Sequence, residues 1–288
     1  MGAASSMVNL NLLIFACLLD FGFVQLFKYA QRRRHNAAVV VCTNYLTLAV
    51  VLCAYFGLTG QLSLSIDAVK VGVITGCAFI LSMSVMTRSL QHANVAAVLM
   101  AFRMSIIVPV VASVFLWSEA IGVVQLVGVV LALPALAMVT YGTSESQRVG
   151  GPRALVLVMF VFCAQGMSHC CMRWVHYAGL DSQTPQVLMV VGATAGSLGA
   201  LLVALRGHRP RRAEILTGGG IGLYNLLALL VILAMLSRMD GTVVFPTLGC
   251  TLVVLDSLSA HFIWKEPLRR LAWAGLAMAV LAVLLVLA

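Results

Sequence analysis

Apolar residues run through this chain in stretches of about twenty, separated by short polar or charged segments rather than alternating with them. The runs between charges and turn residues lie near 7–27, 37–57, 70–90, 95–116, 121–141, 154–175, 184–205, 215–236, 243–263 and 268–288. A bilayer core about 30 Å thick is crossed by a helix of about 20 apolar residues, so each run predicts one transmembrane helix. Hydrocarbon offers no hydrogen bonds to the backbone, which makes a helix the expected form of every run. The most polar gaps are 28–35 with Lys28, Gln31, Arg32, Arg33, Arg34 and His35, the central 142–153, and 206–214. The expectation is an all-α integral membrane protein with ten transmembrane helices and little chain left for a soluble domain.

The central gap divides five runs (1–141) from five (154–288), with 142–153 as a polar linker. A shift of 147 residues superposes Phe115, Trp117, Glu119 and Gly128 on Phe262, Trp264, Glu266 and Gly275, so F-x-W-x-E-x8-G closes both halves. Elsewhere the matches are few, Leu10 with Leu157 and Phe15 with Phe162, and the shared spacing of the runs is the stronger sign. Five is odd, so a second copy enters the membrane upside down. Two inverted five-helix repeats are a recurring transporter plan, because exchanging the conformations of two similar halves turns an outward-open cavity into an inward-open one.

Composition agrees: 62% of the 288 residues are hydrophobic and 9% charged, against roughly 25% charged in a soluble domain. The net charge of +9 sits in gaps and helix ends, so no nucleic-acid partner is expected. The eight cysteines fall inside apolar runs with no metal-ligand spacing, and no Asn-x-Ser/Thr acceptor occurs. Residues 1–8 hold no Lys or Arg and no clear cleavage site follows the first run, which reads as a retained helix. Phosphate-loop, HExxH, GxSxG and paired Asp-rich motifs are missing, so neither an enzyme, a cofactor nor a metal site is expected.

Ser105, Pro109, Glu119 and Gly128, with Pro246, Glu266 and Gly275 in the second half, resemble the helix-4, loop and helix-5 signature of the drug/metabolite transporter superfamily in its EamA-like branch. The segment from Phe27 and Lys28 through Asn44 and Tyr45 is similar to one bacterial subset of that family. The resemblance covers nearly the whole chain. It implies a secondary transporter in a bacterial inner membrane, an exporter of small metabolites or amphipathic compounds, with a transporter of lipid-linked carriers as the alternative and an intramembrane enzyme as a third reading. Two five-helix halves supply within one chain the inverted pair that a four-helix relative obtains by dimerising, which predicts a monomer-competent fold and leaves homodimers open. Asp256 departs from the pattern: it occupies the position that corresponds to Pro109, where the family usually shows nothing charged.

Counting cations places fourteen on one side of the membrane, with only Lys70, Arg173 and Arg238 on the other and Arg103 inside a helix. The positive-inside bias predicts both termini outside the cytoplasm, whereas the resemblance implies both inside.

Ionisable groups within the runs are the first candidates for function, since an Asp or Arg at a helix centre costs about 2.5–3.5 kcal/mol on insertion scales. At about 1.5 Å per residue, Asp20, Asp256 and Arg103 all lie roughly 10–12 Å from the same membrane face. They form either a charged cluster that binds an ionic substrate or exchanges protons, or a structural pair with one carboxylate snorkelling. His169 with Gln165 one turn earlier, Asn44 with Tyr45, and Tyr224 with Asn225 are polar groups suited either to line a cavity or to bond neighbouring helices. Pro109 and Pro246 remove helical hydrogen bonds and mark candidate helix breaks. Glu119, Glu266, Gly128 and Gly275 read as turn-capping and packing residues of the repeat. Gly72 with Gly76, Gly192 with Gly196, and Gly218 with Gly222 are GxxxG motifs for close helix approach.

Overall fold

The computed structural model describes residues 2–92, 95–143, 152–263, 265 and 268–288, and these are helical with no strand among them. In chain order the helices are α1 (Gly2–Arg32), α2 (Ala37–Thr59), α3 (Ile66–His92), α4 (Val95–Met104), α5 (Ile107–Trp117), α6 (Val123–Thr143), α7 (Pro152–Tyr177), α8 (Thr184–Leu205), α9 (Arg212–Leu236), α10 (Gly241–Phe262) and α11 (Arg270–Leu287), with a 3-10 turn at Asp181–Gln183 before α8. Among the described residues ten spans are long and apolar enough to cross a membrane, α4 and α5 together supplying the one at Ala97–Trp117. Large apolar side chains such as Leu58, Phe115, Val123 and Leu216 stand almost fully exposed, which is costly in water and expected of a surface that meets lipid.

The fourth span is broken. In an α-helix the carbonyl of Ser105 would accept from the N–H of residue 109, but Pro109 has none. The Val108 N–H donates to that carbonyl instead, at 3.0 Å, and the helix stops at Met104 to restart at Ile107. The Ser105 hydroxyl turns back to donate to the Phe102 carbonyl at 2.6 Å. The interruption therefore falls about four residues before the proline that causes it. Pro246 behaves differently from the sequence expectation, because α10 runs through it unbroken. It lies near the start of that helix, where the orphaned carbonyl belongs to Thr242 in the first turn. Pro109→Ala supplies the missing N–H and is expected to close the break, adding about 0.5–1.5 kcal/mol for the regained bond; slower amide exchange at residues 105–109 is the readout.

The chain folds into two compact units. One comprises Met1–Cys17, Val85–Cys170 and Arg238–Ala288; the other comprises Leu18–Ser84 and Cys171–Ser237. Both sequence halves contribute to each unit. In the first, α6 packs along α11, and α10 packs on α5, α6 and α11. Gly128 meets the Ala282 carbonyl and Val286, while Gly275 meets Met138 and Val139. In the second unit, α2 packs on α8 and α9, and α3 joins α8 through glycines. A Cβ at Gly72 would lie 2.7 Å from Val190 Cβ and 3.1 Å from the Val187 carbonyl, and one at Gly76 2.8 Å from Thr194 Cβ and 2.9 Å from the Val191 carbonyl. On α9, Gly218 meets Thr43 and the Val40 carbonyl, and Gly222 meets Thr47 and the Asn44 carbonyl. The seats Val40, Thr43, Asn44 and Thr47 become Val187, Val190, Val191 and Thr194 under the same 147-residue shift.

Two buried carboxylates fasten helix starts. Glu119, just past α5, accepts from the Thr242 N–H at 3.0 Å in the first turn of α10. Glu214, in the first turn of α9, accepts from the Arg211 N–H at 2.9 Å and from the Asn36 N–H at 3.0 Å. Asn36 in turn caps α2, its side-chain oxygen taking the Ala38 and Val39 N–H groups. Each carboxylate thus satisfies donors that a helix start leaves open.

Candidate functional site

In the first unit, one face of α10 carries Phe245, Gly249 and Asp256, which recur at helical spacing and so share a side of the helix. The Phe245 ring lies 5.7 Å from that of His169 on α7. Gly249 meets Ile106 at the α4–α5 break, where any Cβ would collide with it. Asp256 is the charge that Arg103 on α4 feels. On α7, the Gln165 Nε2 donates to His169 Nε2 at 3.0 Å, which places the neutral imidazole's proton on Nδ1. Gly166, between them in sequence, lets α7 come against Val108 of α5. The site is thus an α10 face reading from an amide–imidazole pair, past a broken helix, to a carboxylate that acts electrostatically on Arg103. Thr247 on the same helix and Ser113 on α5 add buried hydroxyls with no hydrogen-bond partner among the described residues.

The second unit holds the remaining candidates. Asp20 on α1 acts electrostatically on the Tyr224 phenol of α9, and Gly22 gives that ring its space, since a Cβ there would strike the hydroxyl. Asn44 and Asn225 are both buried, and the Asn44 side-chain oxygen has no hydrogen-bond partner among the described residues. Tyr45 packs against Phe79 of α3, with ring centroids 6.0 Å apart. Of the three charges placed at one depth by the sequence, Arg103 and Asp256 belong to the first unit and Asp20 to the second. Glu119 accepts a helix-start N–H, Gly128 and Gly275 are packing positions, and Glu266 lies outside the described residues.

Arg173 adds what the sequence reading did not contain. It was counted only as a cation on one side of the membrane, near the end of the 154–175 run; α7 continues to Tyr177 and the side chain is 2% exposed. Its Nη1 donates to the Leu236 carbonyl at the end of α9, and its guanidinium lies 4.9 Å from the Tyr177 ring centre. A cation there meets the negative end of the helix dipole. Glu214 also escaped notice. Its signal was a glutamate in the third position of a run opened by Arg211, which completes a helix-start pattern even without the usual Ser or Thr.

Ten apolar spans and an apolar exterior fit a multi-pass membrane protein. No family model matches the chain. An uncharacterized protein of Haemophilus influenzae is similar, 20% identical over 278 residues that cover 92% of this chain and 93% of that one. A protein of known crystal structure shares the fold, with a TM-score of 0.74 at 16% identity and 97% of both chains covered.

Proposed function

We propose that the chain is a secondary active transporter of the drug/metabolite transporter type, EamA-like, seated in a bacterial inner membrane. It exports small metabolites or amphipathic compounds by alternating access of two inverted five-helix repeats. The observation that supports this best is the repetition of helix seats under the 147-residue shift, with the glycine pairs of α3 and α9 that occupy two of them 146 residues apart. Gly72 and Gly76 of α3 sit on α8 at the positions equivalent to those where Gly218 and Gly222 of α9 sit on α2. Gly128 meets Val286 while its equivalent Gly275 meets Val139, the equivalent of Val286. Such reciprocity is what a twofold relation between halves produces, and two halves able to trade conformations are the working parts of an alternating-access carrier.

In this reading the α10 face of the first unit supplies substrate contacts, and Asp256 beside Arg103 carries the proton. Purified protein in liposomes is expected to show solute flux. Headgroup exposure of a lipid-linked carrier without solute flux, or covalent turnover, would replace the reading. Asp256→Asn is expected to abolish the component of flux driven by a pH gradient while leaving substrate-for-substrate exchange. Full pH dependence retained in both Asp256→Asn and Asp20→Asn would remove proton coupling from these residues. Transport by a monomer, measured by mass in mild detergent and after dilute reconstitution, is the expected assembly state.

A further inference from the structure

Segments 28–36 and 206–214 hold eight Lys and Arg residues against one carboxylate, Glu214. That carboxylate is 3% exposed. It is bonded to the Asn36 N–H of one segment and the Arg211 N–H of the other, with His208 Nε2 at 3.5 Å. Glu214 therefore fastens the two segments side by side without presenting its charge to the surface. Arg33, Arg34, Arg206, Arg209, Arg211 and Arg212 are all exposed around it. Arg33 lies over the Tyr29 ring at 5.3 Å, a contact that uses the guanidinium face and is compatible with hydrogen bonding through its edge.

The place of these cations says what meets them. Candidate spans end at Arg32 and Leu205 and begin at Ala37 and Arg212, so the arginines stand at the boundary of the apolar layer. Leu205 is 75% exposed and Leu216 77%, immediately beside the charges. An occupant that satisfies both is an anion attached to an apolar chain. The other end of the same unit differs: Lys70 pairs with Asp67 at 3.5 Å and the His176 ring bonds to Asp181 at 2.8 Å, so acidic side chains stand beside the basic ones there.

We infer that this arginine cluster is a binding site for the headgroup of an anionic phospholipid, held by two interhelix segments that Glu214 locks together. Guanidinium edges take the phosphate oxygens and the acyl chains lie along Leu205 and Leu216. The site is independent of the transport reading, since it needs only the membrane and the charges.

The experiment titrates purified protein in neutral detergent with phosphatidylglycerol or phosphatidylcholine, reading retained lipid by native mass spectrometry and the unfolding midpoint by thiol-reactive dye. The unaltered chain is expected to retain phosphatidylglycerol selectively and to lose that selectivity in high salt. The variant Arg33→Gln, Arg34→Gln, Arg209→Gln, Arg212→Gln is expected to bind it several hundredfold more weakly, at roughly fivefold per charge. Lys70→Gln is expected to change nothing. Equal retention of both lipids, salt-independent retention, or the same midpoint shift produced by inorganic phosphate alone would overturn the inference. So would a folded four-site variant that retains phosphatidylglycerol like the unaltered chain; the salt titration decides the matter on the native sequence if that variant does not fold.

Discussion

Gly222→Val is expected to remove nearly all folded protein from the membrane, lowering the yield of monodisperse material at least tenfold. The reason is what lies against the glycine: a Cβ there would stand 2.6 Å from the Asn44 carbonyl oxygen and 2.7 Å from Thr47 Cβ. The first of these is backbone, which has no rotamer by which to retreat, so α2 and α9 must separate along their length. Overpacking a relaxable core costs about 1–3 kcal/mol, and a seat walled by backbone belongs above that range. Gly76→Val is expected to fail in the same way, since its Cβ would meet the Val191 carbonyl at 2.9 Å and Thr194 at 2.8 Å. Gly220→Val is the control. It lies on the same helix as Gly222, yet nothing stands within 4 Å of its Cβ position. Its yield should match the unaltered chain, and size-exclusion profiles of fluorescent fusions read all three. A tolerated Gly222→Val would mean that α2 and α9 do not approach as closely as described.

Glu214→Ala carries the next largest effect, a loss of about 2–5 kcal/mol of stability. Removing the carboxylate leaves the part-buried N–H groups of Asn36 and Arg211 without their protein acceptor and deletes two charge-assisted bonds, at about 1.5–3 kcal/mol each. Glu214→Gln keeps one acceptor oxygen and is expected to recover part of the loss. A thermal shift in detergent distinguishes the two substitutions. Because Glu214 ties the segment before α2 to the segment before α9, the damage should appear as faster amide exchange at both starts, residues 36–39 and 211–215. Faster exchange at α9 alone would limit the role of Glu214 to its own helix.

The two carboxylates that fasten helix starts differ in how far they could be read. Glu119 belonged to a repeated F-x-W-x-E pattern and was expected to cap or hinge a connection. Its partner, the Thr242 N–H, lies on α10 more than a hundred residues away, and no local pattern names it. Glu214 closed the polar gap 206–214 among four arginines, and the sequence singled it out for no role. Arg173 was counted only as a cation on one membrane side, and its burial against the Leu236 carbonyl follows from how the end of α9 meets α7.

The ten spans were determined by the sequence by itself, because twenty apolar residues in a row have one stable form in hydrocarbon and that form depends on nothing distant. The weak point at Pro109 was also written there, since a missing N–H is a property of the residue, although its effect falls at Ser105 and Ile106 where the orphaned carbonyl lies. Which GxxxG motif seats on which helix was decided only by tertiary structure. Gly72 with Gly76 and Gly218 with Gly222 read identically as small-residue ridges, and only folding assigns them to α8 and α2. The partner of Arg103 was open in the same way. Two carboxylates lay at its depth by residue count, and packing puts Asp256 within its field in the first unit. Depth follows from position along one helix, but azimuth and neighbour follow from how helices pack, and that information is spread over residues more than a hundred positions apart.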